Sequence, residues 1–222
     1  MNARGQGGLD LEADKKRALL LTPVSRETQE RLETYVALLL SWQEKFNLVA
    51  VSTLPLIWTR HISDSLQLLD HAPDAKVWAD YGSGAGFPGI PIACALADKP
   101  GVQVHLIESV GKKNNFLREA VRATGIPAIV HQIRAEKFGD SYGDKVDVVT
   151  ARALSPLKTL CDQTFPLIDR GAIGLFNKGQ HIDIELTEAA KYWTIQASKV
   201  PSKTSPEGCI LVVTGLKPRK HP

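Results

Sequence analysis

The chain has 222 residues and a mass of 24.2 kDa, with 27 Lys and Arg against 24 Asp and Glu, a net charge of +3 and a pI near 8.7. That length suits one main domain with a small appendage, and the mild basic excess permits a polyanionic partner without requiring one. No apolar run reaches membrane-spanning length, the opening residues lack the apolar core of a secretion signal, and Cys94, Cys161 and Cys209 stand apart with no CxxC. A cytoplasmic location with buried thiols, no membrane and no metal is expected.

Residues 1 to about 22 begin glycine-rich and turn charged, which predicts a frayed or loosely packed leading helix. From Ser25 to about Phe46, Leu32, Val36, Leu39, Leu40 and Trp42 recur at helical spacing behind a Ser cap. Thr53 to Leu69 predicts a second amphipathic helix, with Thr53 as cap and Pro55 in the first turn. His61 and Asp64, three apart on its side, are spaced to hydrogen-bond each other and lock this helix to a sheet. A catalytic or metal role would need a third partner, which the neighbourhood does not supply. Trp42, Trp58 and Trp78 sit in apolar periodic patterns and read as core.

After Pro73 the pattern changes to short apolar runs separated by helical stretches, which implies alternating strands and helices and a mostly parallel sheet. Expected strands are Lys76–Asp80, Gln103–Glu108, Ala128–Gln132, Val146–Thr150 and Ala172–Phe176, with Trp193–Lys199 and Cys209–Thr214 closing the sheet as a late antiparallel pair. Expected helices are Phe87–Ala97, Lys112–Thr124 and Ser155–Ile168. The resulting plan is a helical extension over 1–72, an α/β domain over 73–217 and a basic tail over 218–222.

The densest signal is the run from Val77 to Ile90, VWADYGSGAGFPGI, an apolar strand that ends in an acid and opens into a glycine loop. Gly82, Gly84 and Gly86 allow positive φ and let a ligand touch bare main chain, and Pro88 suits the start of a helix whose free amides favour negative charge. Gly84 to Gly89 fits GxGxxG, a weak signal shared with NAD-binding folds. Asp80 discriminates where the glycines do not. A carboxylate at ~6 Å and an effective dielectric of ~20 is worth roughly 3 kcal/mol to a unit charge, repelling a pyrophosphate and attracting a sulfonium or ammonium. Asp80 therefore points to S-adenosylmethionine rather than NAD.

The sequence blocks WQEKFNL (Trp42–Leu48), RHISDSL (Arg60–Leu66), DYGSGAGFPGIP (Asp80–Pro91), Glu108 with Lys112 and Lys113, RAE (Arg134–Glu136), TARA (Thr150–Ala153) and NKG (Asn177–Gly179) occur in this order. Together they resemble the bacterial small-subunit ribosomal RNA methyltransferase G family, also called glucose-inhibited division protein B, from about Thr22 to Lys217. The resemblance implies a Rossmann-like class I S-adenosylmethionine-dependent methyltransferase, with a seven-stranded mostly parallel sheet, helices on both faces and an N-terminal helical extension. It implies methylation of a guanine at N7 in the 16S rRNA of the small subunit, by a chain expected to act as a monomer.

Asp80, Gly82, Gly84, Gly86 and Phe87 are expected at the donor. Glu108, one strand beyond the loop, is placed to accept both ribose hydroxyls. The resemblance puts Ala135 and Glu136 beside the adenine and favours Arg152, at the end of the fourth strand, as a fork for the methionine carboxylate. Arg134 and Lys178 lie at strand ends on the same rim and are expected to contact RNA phosphate or base. Lys112, Lys113 and Arg118 read as a solvated basic face, and the 217–222 tail as a basic frayed end.

Guanine N7 carries a lone pair at neutral pH, so no general base is expected, and catalysis rests on alignment of the two substrates. Two rival readings are an NAD-dependent oxidoreductase, which shares the loop and Glu108 but has no evident second nucleotide-binding half, and a non-enzymatic RNA-binding ribosome-assembly factor.

Overall fold

The computed structural model describes residues 10–219. Seven strands form one sheet: β1 (Val77–Tyr81), β2 (Gln103–Ile107), β3 (Ala128–His131), β4 (Val148–Arg152), β5 (Ile173–Lys178), β6 (Trp193–Pro201) and β7 (Cys209–Pro218). Their order is β3-β2-β1-β4-β5-β7-β6, parallel from β3 to β5, with β7 antiparallel to both β5 and β6. Each lies within a few residues of its expected position. The chain winds outward from β1 through β2 to β3, then returns to start β4 on the other side of β1, which leaves a crevice where the direction reverses. The antiparallel β6–β7 pair stands where a dehydrogenase would begin its second nucleotide-binding half.

The helices are α1 (Leu11–Leu21), α2 (Arg26–Gln43), the single turn α3 (Asp64–Leu66), α4 (Gly89–Leu96), α5 (Gly111–Thr124), α6 (Ala135–Ser141), α7 (Leu157–Ile168) and α8 (Ile182–Ala189). Ser25 caps α2 as expected, its hydroxyl accepting from the Thr28 amide. The expected helix from Thr53 to Leu69 is instead a chain of short turns, 3₁₀ over Val51–Leu56, π over Trp58–Ser63, α3, then 3₁₀ over Gln67–His71. The leading segment is also better built than expected. Within the described residues, α1 is a capped helix with Ala18 fully packed in the core. Residues 1–9 of the leading segment and 220–222 of the basic tail lie outside the described residues; Pro218 itself closes β7.

The sheet separates two cores. On one face Ala18, Leu32, Tyr35, Leu39, Trp58, Ile62, Trp78, Ile90, Leu106 and Phe116 pack together, so the N-terminal helices share a core with β1, β2, α4 and α5. On the other, Ala79, Tyr81, Phe138, Val149, Leu160, Phe176 and Trp193 join α6, α7 and the sheet. Trp58 and Trp78 are buried and Trp42 packs against the first core, as their periodicity predicted.

Candidate functional site at the β1–β4 crevice

A cavity of about 870 Å³ opens at the carboxyl ends of β1, β4 and β5. Its lining includes Gly82, Gly84 and Phe87 from the loop after β1, Arg152 from β4, Asn177 and Lys178 from β5, His61 and Asp64 from the 51–71 segment, and Thr204 from the β6–β7 turn.

The glycine loop is held in a conformation that side chains resist. Gly82, Gly84 and Gly86 have φ of +67°, +57° and +98°. At Gly84 the nearest atom to a hypothetical Cβ is 3.7 Å away, so its main chain stands bare in the cavity wall. Gly89 serves another end: a Cβ there would press into Asp80 and Leu106, so only glycine lets α4 begin this close to β1 and β2. From above, Tyr35 of α2 donates its hydroxyl to the Ala85 carbonyl and packs edge-on against Phe87 at 5.4 Å.

Asp80 lies beneath this loop rather than in the cavity wall. Its side chain is 1% exposed, one oxygen accepts from the Gly89 amide at 3.1 Å and the other from the Thr150 hydroxyl at 2.9 Å. It has a structural duty there, because the first amide of α4 has no helical partner and needs an acceptor. Burial pushes its carboxyl up to about 6, against the lowering effect of bonds from Ser83, Thr150 and Gly89 and the charge of Arg152. Near neutral pH it is still mostly ionised, so it can act on a cation through space.

Arg152 is the hub of the cavity. Its guanidinium donates to the Arg60 carbonyl at 3.0 Å and to His61 Nδ1, stands 3.6 Å from Asp64 Oδ2, and lies 5.1 Å over the Phe87 ring. Since arginine only donates, His61 Nδ1 must accept, which puts the imidazole proton on Nε2, 2.9 Å from the Thr53 hydroxyl. Burial, then the charges of Arg152 and Arg60, lower the His61 pKa to about 3, so the ring is neutral in this role. The expected His61–Asp64 bond gives way to this arrangement, in which both residues turn to Arg152. Asp64 also accepts from Gln67 at 2.8 Å, Thr204 at 2.7 Å and Asn177 at 3.2 Å, tying α3, β5 and the β6–β7 turn together.

The other expected residues divide by side of the sheet. Glu108, just after β2, stands behind the cavity wall, with Oε2 accepting from the Gly84 amide at 3.0 Å and Oε1 from the Val110 amide at 2.8 Å. It thereby fixes the second loop glycine. Ala135 and Glu136 open α6 beyond β3; Ala135 is nearly buried, and Glu136 is exposed with an oxygen 2.7 Å from Gln163 Nε2. Arg134 is exposed at the N-cap of that helix. Lys178 does line the cavity, but its side chain is only 9% exposed and its amine is 2.8 Å from Glu185 Oε2. Gly86 packs against Ile90 and Tyr35 and so shapes the loop from outside the cavity. Lys112 covers the Phe46 ring at 5.2 Å, Lys113 reaches the cavity, and Arg118 is exposed.

Two site-building residues escaped sequence reasoning. Asp14 of α1, 4% exposed, accepts from the Trp58 and Thr59 amides at 2.9 and 3.1 Å and so anchors the turn that presents His61. Glu185 of α8 accepts from the Leu157 amide at 2.7 Å as well as from Lys178. Neither carried a local signal, since an acid in a charged helix normally faces water. Among the described residues no three His, Cys, Asp or Glu gather to hold a metal, and no helix is long and apolar enough to cross a membrane.

A family model described as rRNA small subunit methyltransferase G matches residues 28–209. The chain belongs to this family. Relatives named ribosomal RNA small subunit methyltransferase G include one from Bradyrhizobium sp. strain BTAi1, 58% identical over 203 residues that cover 91% of each chain. Another, from Rhodopseudomonas palustris strain BisB18, is 52% identical over 213 residues covering 95% of this chain and 90% of the relative. Among solved structures, cofactor-bound Rv0187 from MTB matches with a TM-score of 0.59 at 16% identity, over 95% of this chain and 99% of that one. The ribosomal protein L11 methylase of Lactobacillus delbrueckii subsp. bulgaricus matches with a TM-score of 0.51 at 18% identity, over 73% and 79%. These distant likenesses show the fold alone. As a member of its family the chain is a methyltransferase that uses S-adenosylmethionine.

Proposed function

We propose that the chain methylates N7 of a guanine in the 16S rRNA of the small ribosomal subunit, with the donor lying across the β1–β4 crevice. The observation that carries this reading is the cavity at the sheet's reversal point, walled by bare glycine main chain on one side and by Arg152 on the other. When bound, S-adenosylmethionine supplies an electrophilic methyl group on a sulfonium.

The residues divide the work. Gly82 and Gly84 offer main chain to the methionine portion, and Gly86 holds the loop's shape. Phe87 walls the same space. Arg152 has the forked donor set that suits a carboxylate, with Asp64 and His61 holding its plane in place. Asp80 favours the sulfonium through space. Glu108, at the end of β2, would take the ribose hydroxyls, and Ala135 and Glu136 would flank the adenine. The split of these residues between the β2–β3 side and the β4–β5 side supports an extended donor, whose adenosine would be held by Glu108, Ala135 and Glu136 and whose methionine carboxylate by Arg152.

No residue has to remove a proton, because N7 attacks with a lone pair. The engagement of His61 and Asp64 by Arg152 supports this reading, since neither is left poised as a base. Alignment alone is worth roughly 7–11 kcal/mol in well-oriented systems. Arg134 and Lys113 stand at the rim where phosphates would pass. The N7 edge of paired A-form RNA faces a deep, narrow groove, so the target is an unpaired or flipped base. The chain does this as a cytoplasmic monomer. Mapping of 7-methylguanosine in 16S rRNA from cells with and without this gene tests the proposal: one guanine should lose its methyl group, and an unchanged map contradicts it.

A further inference from the structure

Lys178 follows Asn177, the register partner of Arg152 on the neighbouring strand, so it stands at the wall of the cavity beyond the arginine. Its amine uses two of three hydrogens, on Glu185 Oε2 at 2.8 Å and the Ser155 carbonyl at 3.2 Å. Glu185 Oε2 is doubly engaged, by Lys178 and by the first amide of α7. Glu185 Oε1 has no partner among the described residues, yet it is not one of the buried orphan atoms, so it is open to solvent. Both side chains line the cavity. The pair therefore presents one spare donor beside one spare acceptor, held rigidly by a strand end and a helix start.

That arrangement matches one nucleobase edge. Guanine offers an acceptor, O6, next to two donors, N1–H and the N2 amine. Adenine offers the reverse order, with its amine against the ammonium and the N1 lone pair against the carboxylate. Uracil sets O2 against the carboxylate where guanine has an amine. We propose that Lys178 and Glu185 read the Watson–Crick edge of the target guanine, Lys178 donating to O6 and Glu185 Oε1 accepting from the N2 amine. N7 lies on the other side of O6 and so turns toward Arg152 and the glycine loop. The assignment rests on the guanine-methylation reading above. It gives Lys178 a base rather than a phosphate, because its charge is already balanced by Glu185 and its side chain is almost enclosed, whereas a phosphate clamp works best from an unpaired surface cation.

Small subunits reconstituted with 16S rRNA carrying guanine, inosine or 2-aminopurine at the modified position test it. Inosine lacks only the N2 amine and should lower kcat/KM of the wild-type enzyme about 10- to 100-fold, as loss of one good base contact does. 2-Aminopurine keeps the N2 amine but lacks O6 and should likewise lower it about 10- to 100-fold, because Lys178 is left facing a carbon. Glu185→Gln retains an acceptor for the Leu157 amide but loses the second carboxylate oxygen, so its guanine-over-inosine preference should fall close to one. Its affinity for S-adenosylmethionine by calorimetry should stay within about twofold, since ~0.4 kcal/mol is all that such a change represents. Binding of the same particles without donor should show the same loss of preference. Equal rates on guanine and inosine in the wild type, or a Glu185→Gln enzyme that keeps the wild-type preference, overturns the assignment alone. The wild-type base series stands even if the variant fails to fold. No transfer to any of the three particles would sink the methylation reading, and this assignment with it.

Discussion

The guanidinium of Arg152 lies 5.1 Å over the ring of Phe87, so the end of β4 and the end of the glycine loop form one contact. Arg152→Ala should keep the fold, since Asp64 retains donors in Gln67, Thr204 and Asn177, and should lower kcat/KM for methyl transfer about 10²- to 10⁴-fold. Arg152→Lys should not rescue it, because a point charge cannot serve a carbonyl, an imidazole and a carboxylate in one plane. Transfer of labelled methyl to small subunits, beside a melting curve, gives the answer. Turnover near wild type would remove Arg152 from the site.

Gly82→Val should abolish donor binding. Gly82 has φ of +67°, and a side chain there would run into Leu154, which itself lines the cavity. A β-branched residue in this conformation costs about 1–3 kcal/mol in backbone strain, which the loop relieves by moving. Calorimetric titration with S-adenosylmethionine should show at least about a 100-fold loss, or ~2.7 kcal/mol. An unchanged affinity contradicts the placement.

Asp80→Asn should separate stability from function. With its carboxyl raised to about 6, the folded protein binds this proton more tightly than the unfolded chain does, for which a value near ~3.9 applies. Stability therefore falls as pH rises from about 4 to 6, and at pH 7 the buried charge costs about 3 kcal/mol. Asparagine can still accept from Gly89, and the Thr150 hydroxyl can turn to meet its amide. The variant should melt several degrees above wild type at pH 7.5, with the gap shrinking below pH 6 and closing near pH 4, while binding donor about 10- to 100-fold more weakly. Comparing the two proteins at each pH cancels His61 and His105, which are held neutral by burial, with pKa values near 3 and 4. Those two make both proteins less stable as pH falls through about 6.5. A variant less stable than wild type at pH 7.5 would show that the Gly89 and Thr150 bonds outweigh desolvation.

Asp14→Ala should harm the site from outside it. It strands the Trp58 and Thr59 amides inside the protein, a loss of about 2–4 kcal/mol, and frees the turn that carries His61. Melting should fall, and the nitrogen-15 NMR signature of an Nε2-protonated His61 should weaken. Asp14→Asn, which keeps one acceptor for both amides, should recover most of that signature. A lower melting point with an intact His61 signal would make Asp14 a purely structural anchor.

The sheet was legible because its strands are short apolar runs whose partners bury both faces, and the glycine loop because its three left-handed residues exclude other side chains. The 51–71 segment was not. Its periodicity is helical, but Pro55 offers no amide, and the amides of Trp58 and Thr59 are taken by Asp14, more than forty residues earlier, instead of by the preceding turn. The short helices α6 and α8 escaped for want of a long apolar stripe. In the site, Arg152 was legible from its place at a strand end. Its partners His61 and Asp64 were seen but misassigned to each other, since spacing along a helix reveals neighbours on one face and not the cation inserted between them. Lys178 was singled out as a cation, while Glu185, which pairs with it from α8, depended on a tertiary approach that no local pattern records.

The most direct measurement is methyl transfer from labelled S-adenosylmethionine by the purified protein to small ribosomal subunits from cells lacking the gene, followed by nuclease mapping of the labelled nucleotide. A single 7-methylguanosine in 16S rRNA is the predicted result. Label absent from the RNA, or carried on another base or another guanine atom, would contradict the account.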